Sequence, residues 1–286
     1  SDSLAIAAHI PVLAVDLDPG MARRALWNAR IHNVPHPFLA LQARAEHFPI
    51  PPGAFVHIDP DRRAVKGSRA RSITDYAPGL EFLLSLPSFA PSGAIKLSPA
   101  SDFETHFSSN DFEIEIISLA GEAREATVWF GSLASAQRRA TTLPSGASLS
   151  DRDVPLRASL PISPLSAWVY DPDPALSRSG LLPGLARSLG LSALAPGVTL
   201  LTGPSRVESP FLTPYRVLDT SPADEKHLRR YVSDHAIGRL DIKPRGLDLT
   251  PETLRRRLKP AGPNARSLLL VSSSETPTLA IWAERL

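Results

Sequence analysis

The chain has 286 residues, 43% apolar and 21% charged, with no cysteine and a formal net charge of +2; a chain this long holds one large domain or two ordinary ones and buries roughly 75% of its unfolded surface. The absent cysteines exclude disulfides, thiolate zinc sites, iron–sulfur clusters and thiol catalysis, and no apolar run approaches the ~20 residues of a membrane helix. Near-neutral charge confines any nucleic-acid surface to a local patch, and the composition reads as a soluble cytoplasmic protein without a membrane partner.

The chain opens on Ser1-Asp2-Ser3 and its one methionine is Met21, which reads as the start of a fragment. Residues 4–9 read as the remainder of a helix. Residues 10–15 (IPVLAV) form a short apolar run that ends in Asp16-Leu17-Asp18-Pro19-Gly20, the pattern of a buried parallel strand entering a loop. A helix over 21–31 follows, with Ala22, Ala25, Leu26 and Ala29 at helical spacing and His32-Asn33-Val34-Pro35 as its stop. Residues 38–43 and 55–58 are further strands, 79–86 a short helix and 93–97 another strand. Residues 112–119 and 126–131 read as an antiparallel pair at the sheet edge. Strands alternating with helices predict an α/β, Rossmann-like open sheet over residues 1–141. Residues 142–163, rich in Ser, Pro, Gly and Asp, read as a linker.

Residues 164–286 read as a small α+β domain. Helices start at Asp173-Pro174, at Ser221-Pro222-Ala223-Asp224 and at Thr250-Pro251-Glu252, where proline in the first turn loses no hydrogen bond. Strands are expected over 198–202, 215–218, 238–243, 267–271 and 278–282.

Two acidic turns carry the sharpest chemical signals. A carboxylate at a strand end, as at Asp16, accepts hydrogen bonds from ribose hydroxyls in nucleoside-binding sheets; an ordinary loop aspartate capping a helix has the same pattern. The glycine loop of such sheets lies ~20 residues upstream, which here falls before residue 1. Asp59-Pro60-Asp61-Arg62-Arg63 follows the strand at 55–58. In an in-line methyl transfer the acceptor lone pair must sit ~3–3.5 Å from the carbon, so positioning supplies much of the catalysis. The Asp59 carboxylate and Pro60 carbonyl can both accept from an exocyclic amine, while Asp59 or Asp61 would take the proton of a ring nitrogen or hydroxyl. A plain proline turn with solvated arginines is the bland alternative. Tyr76 is read as a base-stacking or a loop-anchoring residue. His32 and His36 have ligand-like spacing, but Asn33 and Pro35 break the helix that would join them, so no metal is expected.

In combination, VDLDP and WNAR (residues 15–19 and 27–30), IDPDRR (58–63), AIKLSP (94–99), and SLAGEARE with VWFG (118–125 and 128–131) resemble bacterial S-adenosylmethionine-dependent methyltransferases with a THUMP-like C-terminal domain. WVYDPDPAL (168–176) and IKPRG (242–246) are similar to that appended domain. The resemblance implies a methyltransferase sheet lacking its first strand and glycine loop, S-adenosylmethionine as donor, and RNA, tRNA or rRNA, as substrate. It carries the ribose-binding role to Asp16 and the post-strand catalytic motif to Asp59-Pro60; Leu17 and Arg44 are candidate donor contacts beside Asp16, and Asp61 is a further catalytic candidate in the same turn. Where relatives often have an adenine-contacting acid, this chain reads Gln42-Ala43-Arg44-Ala45.

Arg62, Lys96, Glu122 and Arg124 are candidate substrate contacts. So are Arg255, Arg256 and Arg257, within a stretch from Lys226 to Arg266 that holds eleven Lys and Arg against four Asp and Glu. The rival readings are a non-catalytic nucleic-acid-binding protein on a methyltransferase scaffold and a protein or small-molecule methyltransferase. A missing central strand would leave the strands at 10–15 and 55–58 without a partner between them. The slot is therefore expected to be completed by an upstream segment or another chain; direct pairing of those two strands would overturn that strand order.

Overall fold

Apolar runs that stop at charged or proline-containing turns build the first half of the chain. In the computed structural model, which describes residues 2–61, 73–156, 158–245, 247, 249–272 and 278–285, the order is α1 (Asp2–Ala7), β1 (Val12–Asp16), α2 (Pro19–Ile31), β2 (Phe38–Gln42), β3 (Val56–Ile58), α3 (Leu80–Ser85), β4 (Ser92–Leu97), α4 (Phe103–His106), β5 (Phe112–Leu119) and β6 (Glu122–Gly131). The second half continues with β7 (Arg138–Leu143), β8 (Ala147–Ser150), β9 (Trp168–Pro172), α5 (Pro174–Arg178), α6 (Leu182–Ser188), β10 (Ser192–Ala193), β11 (Leu201–Gly203) and β12 (Leu212–Pro222). It closes with α7 (Glu225–Asp234), β13 (Ile237–Arg245), α8 (Pro251–Leu258), β14 (Asn264–Val271) and β15 (Leu279–Arg285).

Three sheets result: β1-β2, then β3-β4-β6-β5-β7-β8, then β10-β11-β9-β12-β15-β14-β13. The chain divides into two compact units. One comprises Ser1–Ile95, Ala100–Ser108 and Phe130–Leu133, the other Lys96–Pro99, Ser109–Trp129 and Ala134–Leu286.

In the first unit β1 and β2 run parallel with Asp16 opposite Gln42. Strand β3 runs parallel to β4, with Val56 opposite Gly93 and Ile58 opposite Ile95. Gly93 has to be glycine: a Cβ there would lie 2.4 Å from the Val56 carbonyl oxygen and 2.5 Å from the Phe130 ring. Strands β1 and β3 do not pair with each other, and among the described residues no strand pairs with either on its other side. No described segment of the chain fills the expected slot, and the direct pairing that would have overturned the strand order is not seen.

The pair β5–β6 is not a sheet edge. Strand β7 runs parallel to β5 and β8 antiparallel to β7, so the sheet continues through the first part of the segment expected as a linker. Their polar sequence disguised them. Thr141 and Arg139 face Glu115 and Glu113, acids that are 8% and 1% exposed; Thr141 and Trp129 donate to Glu115, and Arg139, Ser135 and the Ser135 and Ala136 amides donate to Glu113. A buried polar face whose groups are all paired needs no apolar alternation.

In the second unit the seven-stranded sheet is antiparallel from β10 to β14, with β13 parallel to β14 at one end. Period-two alternation gives it two faces. Leu240, Ile242, Leu268, Leu270 and Trp282 pack with Leu228, Val232, Leu254 and Leu258 of α7 and α8; Val169, Tyr215, Leu269, Ile281 and Ala283 form the opposite cluster. Helix α7 starts at Asp224, whose side chain accepts from the His227 amide, and not at Ser221-Pro222, which end β12. The expected starts at Asp173 and Thr250 coincide with the N-caps of α5 and α8.

Candidate active site

Asp16 ends β1 because the apolar run ends there. Its Oδ1 accepts from the Asp18 amide at 2.8 Å, and the Asp18 Oδ1 accepts from the Gly20 amide at 2.7 Å, capping α2. Two consecutive carboxylates thus shape the turn. The neighbouring strand end is tied to it: the Ala43 amide donates to the Asp16 carbonyl at 3.1 Å and the Gln42 amide group to the Leu17 carbonyl at 3.4 Å. Leu17 and Arg44 are exposed. Residues 16, 17 and 44 are therefore together at the carboxyl ends of two parallel strands, the edge where open α/β sheets bind ligands.

S-adenosylmethionine would meet Asp16 through its ribose. Asp16 is exposed, and among the described residues only its Oδ1 is engaged, in the turn, so the carboxylate would fit a ribose hydroxyl. Gln42, whose side-chain amide is turned to the Leu17 carbonyl, does not reproduce an adenine-contacting acid.

Asp59, Pro60 and Asp61 follow β3. Pro60 is buried while Asp59 and Asp61 are exposed, so the proline anchors a turn that presents two carboxylates. The Asp61 amide donates to the Ala77 carbonyl at 2.8 Å and the Ala77 amide returns a bond to Asp61 at 3.0 Å. The adjoining loop is itself fastened. Tyr76, 3% exposed, shares a 2.7 Å hydrogen bond with the Ser101 hydroxyl, and the Ile73 amide donates to Asp102 at 3.2 Å. Tyr76 is thus the loop anchor and not a base-stacking surface. Arg62 lies outside the described residues.

The Ile73 N–H above all holds the Asp102 carboxyl below the ordinary aspartate range, against the opposing effect of burial, which comes second; the Asp102 amide and then His106 lower it further. A depressed carboxyl contributes stability above its unfolded pKa and loses it as pH falls through the folded value. Asp102→Asn is expected to destabilise the first unit at pH 7 and to cost progressively less as pH drops below ~4, the ordinary aspartate value. Denaturant midpoints across that range check this; a difference independent of pH would remove the carboxylate from the account.

A cavity of about 280 Å³ lined by Pro19, Ala22, Arg23, Leu26, Ala40 and Gln42 lies between α2 and β2. Its lining does not include Asp16 or Asp59, so the candidate site rests on the strand ends and not on this hollow. Among the described residues no group of three or more His, Asp or Glu is arranged to hold a metal ion.

The remaining candidates belong to the second unit. Lys96 pairs with Glu125 at 3.2 Å, and Arg124 with Glu122 at 2.6 Å in an exposed hairpin. The three consecutive arginines of α8 differ from one another. Arg255 donates to the Leu240 carbonyl at 3.1 Å, Arg257 faces Glu225 at 3.8 Å, and Arg256 is exposed.

Two arrangements escaped the sequence reading. WVYDPDPAL and IKPRG meet: Lys243 and Arg245 donate to Asp171, 7% exposed, at 3.0 and 2.5 Å. Trp282, Tyr231 and His235 form a column of parallel rings. Of these, only the Tyr231–His235 pair, four residues apart on one helix, left a trace in the sequence.

Comparison with known proteins follows the same division. Residues 212–285 match the family described as THUMP domain-like. Over 217 residues, 75% of this chain, it is 36% identical to uncharacterised S-adenosylmethionine-dependent methyltransferases from two strains of Mycobacterium tuberculosis. The chain spans 59% of the length of those relatives. A crystal structure from Porphyromonas gingivalis, provisionally described as a methyltransferase, matches with a TM-score of 0.72 over 96% of this chain and 71% of that one, at 21% identity. The fold is thus shared with that protein, and the motif-based resemblance to methyltransferases with a THUMP-like C-terminal domain is borne out.

Proposed function

We propose that this relative of the S-adenosylmethionine-dependent methyltransferases transfers a methyl group to RNA, either tRNA or rRNA, in the cytoplasm. Residues 1–141 carry the transfer site and residues 164–286 engage the RNA. An upstream segment or another chain supplies the strand between β1 and β3. The observation that carries this reading is the Asp59-Pro60-Asp61 turn, with its proline buried and its carboxylates exposed at the carboxyl end of β3.

When bound, S-adenosylmethionine supplies an electrophilic methyl group. Asp16 accepts a ribose hydroxyl, with Leu17 and Arg44 beside it at the same strand ends. Asp59 and the Pro60 carbonyl accept the N–H groups of an exocyclic amine, which aims its lone pair at the methyl carbon. Asp59, Asp61 or water would take the proton that the methylated amine gives up. Arg62, Lys96, Glu122, Arg124 and Arg255 to Arg257 are the substrate-side candidates; Arg255 is tied to the Leu240 carbonyl and Arg257 stands 3.8 Å from Glu225, which favours Arg256 for phosphate contact.

Methyl incorporation from labelled donor into tRNA, rRNA and protein fractions tests the reading, with calorimetry of donor binding by this chain and by an upstream-extended form. Label in RNA supports it. Label in protein or small molecules replaces the substrate, and donor binding by neither form favours the non-catalytic nucleic-acid-binding protein. Arg256→Ala is expected to weaken RNA binding across sequences and to flatten its log–log salt slope by about 0.7–0.9, one phosphate contact. Arg255→Ala should instead lower stability; equal slopes for Arg256→Ala and the parent would leave Arg256 a solvated side chain.

A further inference from the structure

The column of rings in the second unit begins in the core and ends in solvent. Trp282 is fully buried and its Nε1 donates to the Ser221 hydroxyl at 3.0 Å. Tyr231 lies on it with centroids 4.0 Å apart and planes 10° from parallel; His235 lies on Tyr231 at 3.9 Å and 17°. His235 is exposed and sits at the C-cap of α7, where its amide donates to the Tyr231 carbonyl. Its ring and its backbone carbonyl are each tied once. The ring Nδ1 is 3.1 Å from the Tyr231 carbonyl oxygen, and the Asn264 side chain donates to the His235 carbonyl at 2.9 Å.

Parallel rings at about 4 Å have the geometry of stacked bases, and Tyr231 covers one face of the outermost ring. We propose that the other face of His235 is a stacking platform for one unpaired nucleobase, so that the base becomes the fourth ring of the column. This rests on the RNA reading above and specifies single-stranded RNA. His is among the side chains on which unpaired RNA bases stack, and a ring already fixed by packing loses little freedom on binding.

The charges around the column permit it. Arg266 lies near Tyr231, and His235 stands within the basic stretch from Lys226 to Arg266. The facing acids are Asp219, which lies near Tyr231, and Glu284, which Arg216 holds at 2.7 Å; on α7, Asp234 is held by Arg230 and Asp224 by His227. Burial, with Asp219 second, raises the Tyr231 phenol above its ordinary range, so the middle ring is neutral at pH 7.

The test uses short single-stranded RNAs carrying one 2-aminopurine, whose fluorescence falls when the base stacks. The parent chain should quench it, and His235→Ala should lose the quench and weaken binding roughly ten- to a hundred-fold, the size of one base stack. His235→Phe, which keeps a ring, should retain both. Arg256→Ala should weaken binding but leave the quench at saturation unchanged. Unchanged affinity and quench in His235→Ala would overturn the platform while the RNA reading stands, as would loss of both in a folded His235→Phe. A parent chain that binds no RNA would overturn the RNA reading and the platform together.

Discussion

Asp59→Asn is expected to lower methyl-transfer turnover by roughly a hundred-fold or more while leaving donor affinity nearly intact, the usual loss when a positioned acid–base group is neutralised. The substitution preserves shape. What it removes is the negative charge that, on the proposed reading, orders an amine's N–H groups or takes its proton. Asp59 is exposed and the turn is anchored through the buried Pro60 and the two Asp61–Ala77 backbone bonds, so the fold should survive the change. On the proposed reading the donor is held by Asp16 and Arg44 at other strand ends, which Asp59→Asn leaves untouched. Single-turnover rates and donor calorimetry on the same preparation separate the two roles. Equal turnover in mutant and parent would make the Asp-Pro turn structural, and a parallel loss of donor affinity would move Asp59 to the donor site.

The candidate site was legible because its signals are local. A strand of apolar residues that ends in Asp16, or in Asp59-Pro60, announces both the edge of a sheet and a carboxylate placed there, and the structure keeps each at a strand end. Strands β7 and β8 were illegible for the opposite reason. Arg139 and Thr141 of β7 are satisfied by Glu113 and Glu115, more than twenty residues earlier, and Ser148 of β8 bonds to the same Arg139 and Thr141, so no short window of sequence contains the whole arrangement. The arginines of α8 make the same point: nothing in Arg255-Arg256-Arg257 reveals that the first reaches the Leu240 carbonyl and the third faces Glu225. Asp171 and its two cations lie on β9 and β13, which are separated by three strands in the sheet order, so only the folded sheet brings the WVYDP and IKPRG motifs into one ion-pair network.

Trp282→Ala should cost about 3–5 kcal/mol, the range for deleting a fully buried large aromatic, because the neighbours can only partly collapse into the space. Three losses act together at this position. The ring fills the cluster formed by Leu268 on the paired strand and the α7 and α8 leucines. It is the base on which Tyr231 stacks, and an aromatic pair contributes ~0.5–1.5 kcal/mol beyond its buried area. Its Nε1–H is the partner of the Ser221 hydroxyl at the end of β12. Total stabilities of ~5–15 kcal/mol make such a loss a large fraction of what holds a domain together. Trp282→Phe keeps the stack and loses the hydrogen bond, so it should cost distinctly less. Denaturant midpoints for both variants, followed by tyrosine exposure to acrylamide quenching, check the argument. If the alanine variant loses under ~1 kcal/mol, well below the cost of an unrelaxed cavity, the sheet face repacks around Tyr231 and the column is not what organises this end of the molecule.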